Sequence, residues 1–459
     1  MLTLSDDAYG RRDFFRIGSL GSLALPALLQ AEAAAANKGR PVTGKSVIFV
    51  FMHGGPPQTE TFDPKMNAPT GIRSATGELK TSLPGVTFGT TFPRLARLAD
   101  KMAVVRSFRP GDGNHDIKPV VSRHSLGANV GSIYSHIAGV THPRTGVPRS
   151  ALLFPRSVDA NAQPGNDKFG RFSSAGDLGA AYAPFTPSGD SKLKADMNLW
   201  MPRRRLDDRR ALLNSLDQAR GQLESAAAGS IDRFNEQAYD LILRGVSRAF
   251  DLSKEDPRVL ARYDTAPLVH PDRISRKWNN HRNYRDHGQC LGKQMLLARR
   301  LVEAGCGFVT VTTNFVWDMH ADKNNATIEE GMDYVGGPFD HAMSALVEDL
   351  HRRGLGEKVL VVACGEMGRT PKINKNGGRD HWGGLAPLLL YGGGLKMGQV
   401  IGQSSRDAGE PAAGEVGIPN LLATILHTIL DVGELRLDVG LPDEIQRLVS
   451  AASPIRGLL

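Results

Sequence analysis

Cysteine is scarce. The 459 residues include three, Cys290, Cys306 and Cys364, an odd number with no Cys-x-x-Cys pair, which excludes a disulfide framework and a thiolate zinc site. Aromatic residues make up 6% of the chain, so the basic run Arg203 to Arg205 with Arg209 and Arg210 has no stacking platform. Asp207 and Asp208 interrupt that run. It reads as a solvated helix face, and no nucleic acid is expected as a partner. Beyond the first 36 residues no segment reaches the roughly 18 uninterrupted apolar residues that cross a bilayer, so no stable membrane span is expected.

What is present suits a large folded unit. With 41% hydrophobic and 23% charged residues the chain can bury a sizeable core and is not disordered. Its 51 glycines and 27 prolines fit an α/β protein with long loops better than a helical bundle. The formal charge of +8 favours anionic partners, with scattered arginines that merely aid solubility as the plainer explanation.

The amino terminus has the layout of an address. Arg11 and Arg12 lead into Asp13-Phe14-Phe15-Arg16, a weakly apolar stretch from Ile17 to Leu29 that carries Gly18, Gly21 and Pro26, and then Ala31-Glu32-Ala33-Ala34-Ala35-Ala36. Charged region, short apolar region and small-residue cleavage zone follow in order. The Arg-Arg-x-Phe-Phe-Arg pattern resembles the twin-arginine export signal. Residues 1–36 are therefore expected to be removed, the twin-arginine translocation machinery to be a partner, and the mature protein to be periplasmic or secreted. That pathway carries folded proteins, often with a cofactor in place, which favours a bound metal.

Within residues 40–445 five apolar, β-rich runs stand out: Val47 to Met52, Met102 to Val105, Phe308 to Thr313, Val359 to Cys364 and Leu388 to Tyr391. Continuous rather than alternating apolar runs mark strands buried on both faces of a parallel sheet. Phe339, Met343, Leu346 and Leu350 recur at helical spacing before Gly354, and a second helix over Leu291 to Glu303 ends at Gly305. Strand and helix thus alternate, and the fold class expected is α/β: a doubly wound, mainly parallel central sheet flanked by helices. A helical insertion is expected over about 195–290, from stripes at Leu212, Leu216, Ala219 and Leu223 and at Ile231, Phe234, Ala238 and Leu241.

In such a sheet, ligands bind where strands end at their carboxyl edge. The residues there are polar: His53-Gly54-Gly55 through Glu60 to Asp63; Asn114-His115-Asp116; Trp317-Asp318-Met319-His320; Gly365-Glu366-Met367-Gly368-Arg369; and Gly378-Arg379-Asp380-His381-Trp382 before the last run. Converging Asp, Glu and His side chains offer ligands to zinc, manganese or magnesium according to the mix. Each motif alone has a plainer reading: an exposed turn for Asp318-x-His320, a packed loop for Asp380-His381, a core histidine for His53.

Through those same segments the chain resembles the family catalogued as domain of unknown function 1501 (DUF1501), a sulfatase-like branch of the alkaline-phosphatase superfamily. The resemblance implies an exported metal-dependent hydrolase of phosphate or sulfate esters, acting on a small anionic ester or glycan. It implies a divalent cofactor, zinc first, with manganese, calcium or magnesium as alternatives. Asp318, His320 and His381 match the order of ligands to one metal. His53 or Glu60, with Glu366, stands where a second would be held, and Asp380 completes the expected metal shell. Arg369 or Arg106 would clamp the ester's oxygens, and His115 or His53 would serve as general base.

The chain also departs from the superfamily pattern. The loop from Gly111 to Asp116 has no Ser, Thr or Cys, the nearest hydroxyls being Ser107, Thr59 and Thr61; no cysteine begins Cys-x-Pro-x-Arg; and Glu366-Met367 replaces an Asp-His pair. The alternative is a catalytically reduced envelope protein that binds an anionic ligand, glycan or partner protein.

Overall fold

The structure, a computed structural model, describes residues 41–188, 246–437 and 442–459. The expected signal segment and the apolar stripes between 212 and 241 lie outside the described residues. An eight-stranded sheet organises the rest. In chain order its strands are β1 (Ser46–Phe51), β2 (Met102–Arg109), β3 (Ser150–Leu153), β4 (Phe308–Thr312), β5 (Val359–Cys364), β6 (Ala386–Gly392), β7 (Gln399–Ile401) and β8 (Val416–Gly417). They lie in the order β7-β2-β6-β5-β1-β4-β3, with β8 also on β2. All pairings are parallel except those of β6, which runs antiparallel to β2 and β5. The five expected runs are the five central strands. The edge strands β3, β7 and β8 were not anticipated, being only four, three and two residues long, too short to display a strand pattern.

Side chains along β1 alternate between two cores, as the two-residue period of a strand requires. Ile48 and Val50 join the core under two long helices, α2 (His281–Glu303) and α3 (Ile328–Arg352). Val47, Phe49 and Phe51 face the other, under α1 (Val130–Ala138) and α4 (Ile418–Ile429). Burying each such Val, Leu, Ile or Phe side chain contributes about 1.5–3 kcal/mol. Helices α2 and α3 both give way to a left-handed glycine, Gly305 at φ 103° and Gly354 at φ 65°, which has no Cβ to oppose that turn. The described part of the expected insertion holds only short helices, among them Pro257–Tyr263, and its proposed end at 290 falls inside α2. The apolar face of α2 continues through Tyr284, so the helix belongs to the core from its first turn.

One buried histidine of α2 sets a pH dependence. His287 Nε2 lies 3.2 Å from the Val335 carbonyl, which can only accept, so Nε2 carries the hydrogen and Nδ1 accepts from the Thr313 hydroxyl at 3.2 Å. Burial pushes its pKa down to about 4. The unfolded chain takes up this proton near pH 6.5 and the folded chain only near 4, so stability is lost as pH falls through that window. Urea unfolding at pH 7 and pH 4.5 is expected to show a loss of about 2–3 kcal/mol from this residue, absent in a His287→Gln variant. Equal losses in the two proteins would refute the assignment.

Candidate metal centre

Five loops at the carboxyl edge of the sheet come together. The antiparallel course of β6 explains why the loop before that strand, carrying Asp380 and His381, reaches the same edge as the loops after β1, β2, β4 and β5. Backbone contacts fasten the loops together: the Trp317 N–H donates to the His53 carbonyl at 3.1 Å and the Arg379 N–H to the Met319 carbonyl at 2.9 Å. Two glycines permit the approach. A Cβ on Gly54, at φ 113°, would sit 2.5 Å from the Asp318 nitrogen, and one on Gly378 would sit 2.1 Å from the His320 carbonyl carbon.

The result is a cluster of His115, Asp318, His320 and His381, each offering one ligand atom, all within 4.8 Å of one another. Asp318 Oδ1 lies 2.7 Å from His320 Nε2 and 3.3 Å from His381 Nε2, and the two imidazole nitrogens are 3.0 Å apart. Ligand atoms about 2.0–2.1 Å from a common tetrahedral ion stand roughly 3.3 Å from each other, so these spacings fit one metal ion. Burial opposes ionisation of Asp318, but the Arg369 guanidinium and the bonded imidazoles of His115, His320 and His381 hold its carboxyl well below the usual range. Burial lowers the pKa of His381, and the nearby Arg369 and His115 lower it further against the pull of Asp318. Burial would lower His115 too, yet Asp318 and Glu366 outweigh it and raise that ring to about 9.

Two acids expected among the ligands stand one step back. Glu366, fully buried, is 2.8 Å from His115 Nδ1 and accepts the Gly54 N–H at 3.0 Å. It thereby sets the ring so that Nε2 is left towards Asp318, at 3.6 Å. Asp380 is 60% exposed at its side chain and lies 3.8 Å from His320 Nδ1, behind that ring. His115, expected as a base, is instead one of the four ligand-bearing residues.

Other expectations are corrected by burial and bonding. Arg369 is fully buried, and its nitrogens are spent on the Gly54, Gly55 and Arg379 carbonyls and on Asp318; it positions Asp318 and cannot clamp an ester. Arg106 turns to the Phe62 and Thr87 carbonyls, both at 2.9 Å, and pairs with Asp63. Glu60 is a buried partner of Arg379 at 3.0 Å and accepts from Ser74, Ala75 and Thr76. His53 is 1% exposed and packed among Phe51, Phe172 and Phe315, the last ring 3.7 Å away. Burial pushes it down to about 4, so it stays neutral, and its place is that of a packed ring rather than a base in reach of substrate. The Ser107 and Thr61 hydroxyls donate to the Gly414 and Pro57 carbonyls, and Thr59 is buried 3.5 Å from Glu60.

Sequence reasoning missed two groups that act on the cluster. Asn325 Nδ2 donates to Asp318 Oδ2 at 2.9 Å, for which the Asn324-Asn325 pair was the only signal. Phe315 and Phe169 pack on the His115 ring at 4.9 and 5.1 Å, which no periodicity announces because both lie in loops.

The sequence model of the DUF1501 family, described as proteins of unknown function, matches residues 44–459. The chain belongs to that family. No curated protein sequence matches this DUF1501 protein. Among solved structures it is similar to the PsFucS1 sulfatase from Pseudoalteromonas sp., with a TM-score of 0.38 and 12% identity over 88% of this chain and 70% of that one. It is also similar to the phosphonate monoester hydrolase of Silicibacter pomeroyi, with a TM-score of 0.31 and 10% identity over 84% and 73%. A third is the carboxy-terminal periplasmic domain of EcEptC from Escherichia coli in complex with zinc, with a TM-score of 0.29 and 9% identity over 85% and 83%. No helix among the described residues is long and apolar enough to cross a membrane.

Proposed function

We infer that this DUF1501 protein is an exported, zinc-dependent hydrolase of phosphate or sulfate esters. The observation that carries the reading is the convergence of one carboxylate and three imidazoles within 4.8 Å at the carboxyl edge of the sheet. Three nitrogens and one oxygen favour zinc or another borderline ion over calcium and magnesium, which prefer oxygen throughout. A divalent ion held there supplies Lewis-acid polarisation of an ester oxygen and acidifies water. The protein's own residues prepare for it. Arg369 and Asn325 each hold one Asp318 oxygen, Glu366 orients His115, and Phe169 and Phe315 shield that ring from solvent. With Ser107, Thr59 and Thr61 bonded elsewhere, water is the attacking species. Its oxygen bonds to phosphorus or sulfur, the ester oxygen leaves with the bonding electrons, and the proton that the water gives up ends on that leaving oxygen. Export rests on the Arg11-Arg12 signal.

The exported protein is expected to carry stoichiometric metal by mass spectrometry and to hydrolyse at least one nitrophenyl phosphate or sulfate. Metal-free protein that remains folded would end this reading. The burial of those hydroxyls favours a second one, a catalytically reduced envelope protein that binds an anionic ligand or partner; metal without turnover of any ester would support it. Glu366→Gln is expected to weaken metal binding about 10–100-fold, the usual effect of losing a carboxylate behind a ligating histidine. Unchanged affinity in a chelator competition would remove Glu366 from that role.

A further inference from the structure

A cleft of about 510 Å³ lies between residues 163–167 and the turn 279–283 that opens α2. Its size falls within the roughly 300–1,000 Å³ of ligand clefts, but its lining is not the usual apolar one. Carboxamides dominate it, Asn166, Asn279, Asn280, Asn283 and Asn314 among them, with one guanidinium, Arg282, and one carboxylate, Asp167, beside them. The turn and the loop are built by some of the same groups. Asn314 accepts the Asn166 N–H at 3.0 Å and donates to the Pro164 carbonyl at 2.7 Å, and Asn279 donates to Asn324 at 2.8 Å. A carboxamide offers two donors and two acceptor sites, so these bonds leave capacity unspent.

The cleft connects to the metal centre by two physical routes. The loop that forms one wall continues to Phe169, whose ring covers His115. An amide relay forms the other route: Asn283 Nδ2 lies 3.5 Å from Asn280 Oδ1, Asn280 Nδ2 donates to Asn325 Oδ1 at 2.7 Å, and Asn325 donates to Asp318 at 2.9 Å. One side-chain amide, that of Asn325, therefore separates the cleft wall at Asn280 from Asp318.

We propose that this asparagine-lined cleft binds the sugar of a glycan sulfate or phosphate, holding the alcohol side of the ester while the anionic group lies at the metal centre. Adjacent ring hydroxyls are donor and acceptor at once, which neutral carboxamides match pairwise, with Arg282 as the cation near an anionic group. Nucleic acid would require a basic groove with aromatic platforms, and a fatty or aryl alcohol would require an apolar wall. The inference rests on the hydrolase reading for the reaction and on the cleft alone for the sugar.

The test uses the full exported protein with bound metal and a double variant, Asn279→Ala with Arg282→Ala, both exposed positions outside the metal centre. A glycan array of neutral, sulfated and phosphorylated oligosaccharides reads binding without requiring turnover. Oligosaccharide sulfates and phosphates, compared with nitrophenyl sulfate and nitrophenyl phosphate, read turnover. The wild type is expected to retain anionic oligosaccharides, the variant to lose at least tenfold in affinity, and KM for the sugar ester to rise tenfold while kcat and nitrophenyl ester hydrolysis stay unchanged. Retention of glycans without hydrolysis of any ester supports the cleft and fails the hydrolase. Hydrolysis of nitrophenyl esters with no glycan retained overturns the cleft and leaves the hydrolase standing. Equal binding by wild type and variant overturns the cleft as well.

Discussion

Replacing His320 and His381 together by alanine is expected to abolish stoichiometric metal and reduce ester hydrolysis about 10³-fold. The two Nε2 atoms lie 3.0 Å apart and both approach Asp318 Oδ1, so the double variant removes half of the four-residue donor set and leaves His115 and Asp318. Metal acting on a developing oxyanion contributes several kcal/mol, and each 1.4 kcal/mol is tenfold in rate. Mass spectrometry of the purified protein measures the first effect and steady-state kinetics the second. Because ligating imidazoles must be neutral, metal retained by the wild type should also decline as pH falls. Full metal content in the double variant would place the ion elsewhere and sink the assignment.

Arg379→Leu is expected to destabilise the fold by about 3–5 kcal/mol, the range for breaking one side of a buried ion pair. Arg379 and Glu60 are both fully buried and paired at 3.0 Å. Arg379 also donates to the Ile72 and Arg73 carbonyls, while Ser74, at 2.7 Å, and the Ala75 and Thr76 amides donate to Glu60. Burial lowers the Arg379 pKa and Glu60 opposes that shift, the balance expected where a charge is kept inside by its partner. Removing the guanidinium strands the carboxylate among groups arranged for a pair. Urea unfolding measures the loss, and Glu60→Gln added to Arg379→Leu should recover part of it. A single-variant loss below about 1 kcal/mol would show that the carboxylate is not stranded when its partner goes.

The central strands were legible because burial on both faces imposes continuous apolar runs, and five such runs became β1, β2, β4, β5 and β6. The short β3, β7 and β8 were not, since segments of four, three and two residues carry too little pattern. At the site, Asp318-x-His320 and Asp380-His381 were visible as polar strand-end motifs. The separate positions of Glu366 behind His115, Asp380 behind His320, and Glu60 against Arg379 were not, because residue type states what a side chain can bind and not which neighbour lies about 3 Å away.

By itself the sequence determined the family, the alternation of strand and helix, and the edge of the sheet where polar groups collect, since each follows from local composition, period and motif order. Only the tertiary structure decided which of those polar groups share one point. Loops separated by up to 266 residues, from His115 to His381, close on each other through glycines that admit backbone contact and through buried charges that must find partners. A ligand, a positioning carboxylate and a structural ion pair differ by displacements of a few ångströms, and that difference arises only when the loops are packed together.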